Sequence, residues 1–367
     1  MGTDSQSNAN LLMMKNHTQF GFSIVEIMIS MTLGLLLLTA VGAFYVAHSR
    51  NQRELDNQFV QIENGRYAMD VLSKYVQIAG YYGRYTYMDD FPDASATMPS
   101  ACETNPQYMY TTASGTNALA FAVFGAVSAT MSSAFTCLPS ANLYSDNDAF
   151  LVREVDPTPI ASGALVARNV YLQGVARLRD PVIATGSNAA SFNLTNLDGS
   201  AGDIQRFLAR TFYIGRCVDT SGTTCVSGSD APTLRMLELG DTGVATGYTD
   251  TPLVEGIERM VIEYGLDMAG SNHTVTNASG INIVVQYDGA PDTYTRTPST
   301  TDQWARVVAL RITLLARSNV ITAGYTDSNV YTLASGVTYT PTGNAAKYKH
   351  KLFRKTIYLN NVGARRR

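Results

Sequence analysis

The stretch that decides the fold is QFGFSIVEIMISMTLGLLLLTAVGAFYVA, from Gln19 to Ala47. Within it, residues 27–47 form a run of 21 residues without a charged side chain. As an α-helix rising 1.5 Å per residue, this run spans about 31 Å, which matches the hydrocarbon core of a bilayer. One carboxylate, Glu26, comes directly before the run. The stretch therefore predicts a membrane-spanning helix with an acidic side chain near its beginning.

A cleavable secretory signal is the first alternative for this stretch. Such a signal has a shorter apolar core, followed by a cleavage site of small residues. Here the core is longer, and the sequence behind it, VGAFYVAHSRNQ, offers a poor site of that kind. In front of it, a polar leader with Lys15 runs into Gly21-Phe22. A cleavage site is therefore better placed before the apolar run than after it.

The junction GFSIVE, residues 21–26, resembles the signal of type IV prepilins. In that family, a membrane-embedded aspartyl peptidase cleaves after the glycine and methylates the new amino terminus, and the fifth mature residue is a glutamate. The resemblance implies cleavage after Gly21 by a prepilin peptidase, an N-methylated Phe22 and a subunit-docking role for Glu26. Family leaders are usually short and basic. The segment MKNHTQFG already makes a complete one, which leaves residues 1–13 open as an overlong assignment of the start.

The carboxylate of Glu26 has two physical interpretations. Inside lipid a carboxylate costs at least about 2.5 kcal/mol, so it needs a partner. In a helical filament the α-amino group of a neighbouring Phe22 supplies the opposite charge, and Glu26 then favours one docking register. Alternatively, Glu26 is a first-turn carboxylate at the positive end of the helix dipole. The two interpretations are compatible, and the Gly-Phe junction favours the docking role.

The helix is predicted to continue past Ala47 and to end at AGYYG, residues 79–83, where glycines suit a helix terminus. Gly65 lies inside it, costs about 1 kcal/mol relative to alanine, and is expected to allow a bend. Apolar residues recur at spacings of 4, 3, 7, 3 and 4, the stripe of an amphipathic helix. This stripe consists of Leu55, Phe59, Ile62, Met69, Leu72 and Val76.

After Tyr85, runs of β-branched and aromatic residues alternate with Gly, Pro, Asn, Asp and Ser. The predicted strands are 117–127, 148–155, 206–215, 233–239, 259–267, 305–318 and 351–360. The polar stretches 86–116, 184–203, 218–231, 268–301 and 319–346 are predicted to be surface insertions. In 305–318, one face is apolar (Val308, Leu310, Ile312, Leu314, Ala316) and the other is mixed, which suits the middle of an antiparallel sheet lying on a helix.

Four segments are similar to the PilW family of minor type IV pilins. They are ENGRYAMDVLSKYVQIAGYYG (63–83), VEGIERMVIEYGLD (254–267), WARVVALRITLLARS (304–318) and LFRKTIYLNN (352–361). The resemblance implies an α+β type IV pilin fold, in which a long N-terminal helix packs on an antiparallel β-sheet with long loop insertions. The expected regions are a leader (1–21), a membrane half of the helix (22–50), an amphipathic half (51–83) and a β-rich head (84–367).

The resemblance also implies a function by association. We expect a minor pilin in a tip complex that primes pilus assembly and supports twitching motility, adhesion or DNA uptake. Its partners would be other minor pilins, the major pilin and a large tip adhesin. The chain would cross the inner membrane once, with a periplasmic head, and reach the extracellular pilus after assembly. The alternatives are a minor pseudopilin of a type II secretion system and a surface receptor or enzyme tethered by an uncleaved helix.

The four cysteines allow three pairings. Pairing of sequence neighbours, Cys102 with Cys137 and Cys217 with Cys225, is the simplest prediction. Four buried thiols are the alternative, which an exported head disfavours. No C-x-x-C pair or nearby histidine supports a zinc site.

No catalytic motif or cofactor signature stands out, so we predict a protein that is not an enzyme and has no cofactor. Acidic turns at 145–148 and 196–203 offer oxygen ligands for calcium, but turn structure explains them better. The basic residues between 347 and 367, interleaved with aromatic ones, would suit a DNA-uptake receptor. The net charge of −3 favours an edge strand with a solvated tail instead.

Overall fold

A single helix of 55 residues, α1, begins two residues after Phe22 and runs from Ile24 to Ile78. The computed structural model describes residues 21–85, 98–110, 118–176, 180–221, 224–226, 230–268, 273–276, 282–285 and 288–364. The predicted leader before Gly21 and the arginines 365–367 lie outside these residues. The chain divides into two compact units, which meet in sequence between Leu55 and Asp56. The second unit therefore contains the last six turns of α1 and the whole head.

The remaining helices are short, and the strands account for most of the head. The helices are α2 (Pro106–Tyr110), α3 (Ser128–Ala134), α4 (Thr301–Ala305) and α5 (Asn360–Ala364). The strands are β1 (Val123–Ala126), β2 (Ala149–Val155), β3 (Val170–Gln173), β4 (Val182–Thr185), β5 (Ile204–Gly215), β6 (Thr220–Ser221), β7 (Thr224–Cys225), β8 (Thr233–Asp241), β9 (Thr246–Glu255), β10 (Ile257–Leu266), β11 (His273–Thr276), β12 (Asn282–Val285), β13 (Thr293–Thr295), β14 (Val307–Arg317), β15 (Tyr331–Ala334), β16 (Val337–Tyr339) and β17 (His350–Tyr358).

Two antiparallel sheets dominate the head. The larger sheet has seven strands in the order β1-β2-β5-β3-β4, and β8 pairs with β5 and with β9. The smaller sheet has four strands in the order β13-β10-β14-β17. Three two-stranded hairpins complete the described strands: β6-β7, β11-β12 and β15-β16. The predicted α+β class with antiparallel pairing is therefore confirmed. The sequence suggested one main sheet, whereas the structure has two.

Both sheets share one apolar core with the end of α1. Met69, Leu72 and Val76 of α1 belong to the same buried cluster as Phe212 of the larger sheet and Ile312 of the smaller one. A second cluster covers the opposite face of the larger sheet, and a third lies beneath the β15-β16 hairpin. The helix thus contributes a buried face to the head, as the amphipathic pattern predicts.

The amphipathic stripe on α1 needs one correction. Met69, Leu72 and Val76 are buried as predicted, but Leu55, Phe59 and Ile62 are exposed, Phe59 by 71%. Next to Ile62, the buried residue is Gln61, which is 4% exposed. A polar side chain can lie there because it bonds to sheet carbonyls, as described below, and a hydropathy pattern cannot detect such a bond.

Six of the seven predicted strands form close to their expected bounds. The seventh, 117–127, is shorter: a 3₁₀ turn occupies Ala118–Ala120 and only β1 is extended. Strand β14 lies between β10 and β17, with Leu310, Ile312 and Leu314 in the main core, as its alternation predicts. On its mixed face, Leu315 is buried under the β15-β16 hairpin. That face is therefore covered at one end.

The predicted surface insertions contain structure that the sequence did not reveal. Hairpins β11-β12 and β15-β16 lie inside 268–301 and 319–346, and β4 begins just before 184–203. Strands β3 and β9 were also not expected; β9 reads TGYTDTPLVE and is rich in turn-forming residues. Edge strands tolerate such residues because they pair on one side only.

Candidate assembly site

The residues of the predicted junction lie at the beginning of α1: Gly21 and Phe22 precede the helix, and Glu26 lies in its first turn. The backbone N–H groups of Glu26 and Ile27 donate to the carbonyl of Ser23, at 3.0 and 3.1 Å. Glu26 is the acidic residue of the first turn, and Phe22 precedes the helix with 76% of its surface exposed. This position favours an acidic side chain because the first turn carries the positive end of the helix dipole.

The apolar half of α1 satisfies its own polar groups. By length and composition, α1 is the one helix in the described part of the chain that could cross a membrane. The hydroxyls of Ser30, Thr32 and Thr39 donate to carbonyls of the preceding turn, at 2.9, 2.8 and 2.8 Å. A hydroxyl bonded within its own helix needs no water, so all three are compatible with an apolar environment.

The amphipathic half of α1 is fixed to the head by polar side chains. The amide of Gln61 donates to the carbonyls of Ala316 and Lys349, at 2.8 and 2.7 Å. The amide of Asn64 donates to the carbonyl of Glu255 at 3.1 Å. These carbonyls belong to the ends of β9 and β14 and to the residue before β17. Three strand ends are thereby held at one turn of the helix.

The last turn of α1 is capped from the far end of the chain. The Nδ2 group of Asn361 in α5 lies 3.1 Å from the carbonyl of Ile78 and 3.5 and 3.4 Å from those of Gln77 and Ala79. A helix leaves its last carbonyls without internal partners, and this side chain supplies one. Gly80 follows with a positive φ of 76°, the conformation expected of a glycine at a helix end.

Gly65 allows a close contact with the head, a role that the sequence did not predict. A Cβ at this position would lie 2.2 Å from Cε2 of Phe353 and 2.6 Å from Cδ2 and Cζ. The ring of Phe353, on β17, therefore lies directly against the helix backbone. Only glycine leaves room for it without a shift.

These contacts explain why the four PilW-like segments occur together. Segment 63–83 supplies Asn64 and Gly65, and segment 254–267 supplies the carbonyl that Asn64 binds. Segment 352–361 supplies Phe353 and Asn361. Segment 304–318 supplies β14, and its Trp304 ring lies 4.7 Å from the ring of Tyr264. All four segments therefore meet where α1 packs on the smaller sheet.

A buried ionic cluster holds the β15-β16 hairpin on the smaller sheet. His350 Nδ1 lies 2.7 Å from Asp327 Oδ2, and its Nε2 lies 2.9 Å from Glu258 Oε2. Tyr339 donates to Glu258 at 2.6 Å, and Tyr331 donates to Asp327 at 2.8 Å. All three ionisable side chains are fully buried. Both ring nitrogens of His350 therefore lie within hydrogen-bond distance of a buried carboxylate.

The same cluster shifts its carboxylates. Burial by itself raises the pKa of Glu258, but hydrogen bonds from His350 and Tyr339 outweigh it and lower that pKa. For Asp327, burial also raises the pKa, while bonds from the Asn329 backbone and from His350 bring it below its usual value. Both groups are thus held as carboxylates, the form that accepts these hydrogen bonds.

A second ionic series crosses the helix-facing side of the larger sheet. Arg210 on β5 bonds to Glu154 on β2 and, at 2.7 Å, to Glu238 on β8. Its guanidinium lies 4.7 Å from the centre of the Tyr75 ring on α1. Burial raises the pKa of Glu154 to about 7, although the charge of Arg210 opposes the shift. The sequence offered no signal for either cluster, because the partners are far apart along the chain.

The cysteines form two disulfides, Cys102–Cys137 and Cys217–Cys225, the pairing of sequence neighbours. Their Cα atoms are 5.5 and 5.8 Å apart. The first joins the α2 region to the segment after α3, and the second closes the β6-β7 hairpin. Cys102 and Cys225 lie in the predicted insertions 86–116 and 218–231, whereas Cys137 and Cys217 lie outside them. Cys102 and Cys137 also pack against the second apolar cluster.

In the acidic turns considered for calcium, the carboxylates of Asp148 and Asp198 bond to other groups of the protein. Asp198 accepts from the backbone N–H and the hydroxyl of Ser200, at 2.9 and 2.6 Å. Asp148 bonds to Arg296 and to the backbone N–H of Ile262. Throughout the described ranges, no group of three or more His, Cys, Asp or Glu residues could hold a metal ion.

The basic C-terminal run is divided among structural positions. Strand β17 is an edge strand of the smaller sheet, as predicted. Arg354 donates to the carbonyls of Thr332 and Leu333, at 2.8 and 3.0 Å, and Lys355 lies 3.8 Å from Asp70 of α1. These two cations are therefore engaged within the protein.

Comparison with known proteins gives a match to one family model over part of the chain and a weak structural likeness. Residues 211–361 match the family model described as Type IV Pilus-assembly protein W. Among solved structures, a type IV-like pilin from Thermus thermophilus aligns at 12% identity over 59% of this chain and 78% of its own, with a TM-score of 0.25. That score is too low to support an argument about the arrangement of elements. No curated protein matches the chain.

The matched range contains three of the four segments quoted above, those at 254–267, 304–318 and 352–361. The predicted resemblance to the PilW family is confirmed there. The fourth segment, 63–83, lies outside the match but contacts segments 254–267 and 352–361 through Asn64, Gly65 and the end of α1.

Proposed function

We propose that this chain, which matches the PilW family over residues 211–361, is a minor pilin of a type IV pilus. The observation that carries the proposal is the family match in the head, on a chain whose α1 is long and apolar enough to span a membrane. Pilins are structural subunits, so the function is association and not catalysis. Processing after Gly21 and methylation of Phe22 are part of the proposal.

The proposed mechanism begins with the apolar half of α1. It anchors the chain in the inner membrane, with the head in the periplasm, and raises the local concentration of subunits. During assembly, the helix leaves the lipid and packs among the helices of neighbouring subunits. The carboxylate of Glu26 then pairs with the methylated amino group of a neighbouring Phe22. Because an unpaired carboxylate is costly in an apolar setting, the pair favours one register.

The proposed position is the filament tip. There the chain joins other minor pilins, primes addition of the major pilin and supports a large adhesin. A tip subunit needs surfaces for partners that the major pilin lacks. The disulfide-bonded connections of the head and the cleft described in the next subsection are candidates for such surfaces. Twitching, adhesion and DNA uptake would all depend on this one assembly step.

The experiment that tests processing is N-terminal sequencing and intact mass of the protein from its native membrane. We expect a methylated Phe22 at the start, and a mass lower by the two hydrogens that each disulfide removes. A chain that keeps its leader and still reaches the cell surface would overturn the proposal in favour of an uncleaved tether.

Assembly is tested with Glu26→Gln, which removes the charge and keeps the shape. In a deletion strain, we expect the wild-type gene to restore surface pili and Glu26→Gln to lower the number of pili at least tenfold, with normal cleavage. Ser30→Ala, one turn later on α1, is the matched control. Equal restoration by Glu26→Gln would refute the docking role.

A further inference from the structure

An open cleft lies between strand β4 and helix α2, away from the α1 contacts. Its volume is about 580 Å³, within the range of sites that bind ligands. Among the residues that the structure describes, ten line it: Asn105, Pro106, Gln107 and Tyr110 on one side, Pro181, Val182, Ile183 and Ala184 along β4, and Asn188 and Ser191 at one end. Its floor is therefore the edge of the seven-stranded sheet.

The backbone of Ile183 points into this cleft. The N–H of Gly186 donates to the carbonyl of Asn169 at 3.0 Å, which makes these two residues a hydrogen-bonded pair of the β3-β4 ladder. Bonded and non-bonded pairs alternate in antiparallel strands, so Ala184 bonds to β3 and Ile183 does not.

An independent bond pattern on the next strand agrees. In β5, the carbonyls of Ile204 and Arg206 accept from Ile160 and Asp156, on the edge away from β3. Gln205 therefore bonds towards β3, to its register partner Leu172. Leu172 in turn is the non-bonded partner of Ile183.

The Ile183 backbone groups thus form an unused strand edge. Strand β4 pairs with β3 alone, and within the described residues no other backbone group bonds to the N–H or the carbonyl of Ile183. Two residues earlier, the equivalent outward position is Pro181, which has no N–H to leave open. An edge with an open donor and acceptor is a template for another extended chain.

The cleft has the size and charge of a short strand. A strand residue occupies about 160 Å³, from a rise of 3.3 Å, a strand spacing of 4.8 Å and a face spacing of 10 Å. The cleft therefore holds about four residues, the length of β4 itself. None of the ten lining residues carries a formal charge, and the Tyr110 hydroxyl is held by Asp180 at 2.5 Å. An uncharged segment fits without burying an unpaired charge.

We infer that this cleft binds an extended, uncharged segment of about four residues from a neighbouring pilus subunit, which adds as a strand to β4 opposite Ile183. The backbone of Ile183 supplies two hydrogen bonds. Gln107, Asn188 and Ser191, which also line the cleft, offer polar side chains to the added strand. The inference rests on the proposed function, because the assembly supplies the partner.

The test uses the full chain in its native cells, with a photo-crosslinking amino acid at Asn188. We expect an adduct to an extended segment of another pilus subunit, located by peptide mapping. Ile183→Pro removes the outward N–H and also changes the side chain that packs on the second apolar cluster, and Pro181 shows that this edge accepts proline. Ile183→Val keeps the N–H and is the matched control. The adduct should fall about tenfold in Ile183→Pro and persist in Ile183→Val, as a carbonyl of the partner is left unpaired.

Two results would overturn the inference: an adduct that is equally strong in Ile183→Pro, or cross-links found only within the chain itself. If Ile183→Pro does not fold, replacing the Ile183 amide by an ester removes the same N–H without a ring. The proposed function is judged separately. If deletion of the gene leaves piliation unchanged, the pilin role fails, whereas restored piliation with an adduct insensitive to position 183 rejects the cleft alone.

Discussion

Replacing Gly65 by alanine should destabilise the head, against the usual trend in helices. Inside a helix, Gly→Ala is favourable by about 1 kcal/mol. Here the new Cβ would lie 2.2 Å from Cε2 of Phe353, and overpacking of this kind costs about 1–3 kcal/mol. The two effects leave a net loss of about 1 kcal/mol, which lowers the Tm of a unit of this size by about 2–4 °C.

The sign of the effect should reverse when the ring is removed. In a Phe353→Ala background, Gly65→Ala meets no ring and should stabilise by about 1 kcal/mol, so the coupling energy of the double-mutant cycle is about 2 kcal/mol. Thermal unfolding of the full chain in detergent, with both disulfides intact, measures all four proteins. Gly42→Ala is the control, since nothing lies within 4 Å of a Cβ there. Equal stabilisation by Gly65→Ala in both backgrounds would refute the close-contact account.

Three further outcomes follow from the buried charges and the disulfides. His350→Gln leaves the buried carboxylates of Glu258 and Asp327 without the ring that bridges them, so the free energy of unfolding should fall by about 3–5 kcal/mol in denaturant titrations. Lys347→Gln, on the exposed side of the same segment, is the control, and an unchanged midpoint for His350→Gln would reject the cluster. Glu154 has a pKa of about 7 in the fold, above its unfolded value, so it holds a proton that the unfolded chain releases first. Stability should therefore decline as pH rises from about 4.5 to 7, and Glu154→Gln should flatten that decline; an identical pH profile would contradict the burial. Among the disulfides, removal of Cys102–Cys137 should cost about 4 kcal/mol and removal of Cys217–Cys225 about 3 kcal/mol, because the longer loop gains more freedom when it unfolds. Melting curves of the two double-serine variants give the order, and the reverse order would refute the loop-length argument.

The sequence predicted those parts of the fold that depend on local patterns. The apolar run of α1 and the alternation in β14 are periodic over many residues, and six strands followed from such runs. Strand β9 was missed because its threonines, Asp250 and Pro252 resemble a loop, and pairing with β8 on one side is enough to hold it. Local propensity does not record that kind of support.

The site was less accessible to prediction than the fold. Phe22 and Glu26 were identified by their offset from a glycine, which is a local signal. Gln61, by contrast, binds a carbonyl 288 residues away, and His350 meets a carboxylate 92 residues away. The sequence indicated only that Gly65 could allow a bend. The ring that requires a glycine there, that of Phe353, lies on β17, far along the chain. One sequence without contacts cannot show these pairs.

The cap at the end of α1 forms late in synthesis, because its donor, Asn361, follows the strands of the head in sequence. The carbonyl of Ile78 accepts from an amide that is synthesised 283 residues later, and the ring that contacts Gly65 is slightly more distant along the chain. A nascent chain can therefore form α1 early, but these contacts between α1 and the head cannot form until β17 and α5 have been synthesised. A protein truncated before Phe353 would keep the helix and lose these contacts.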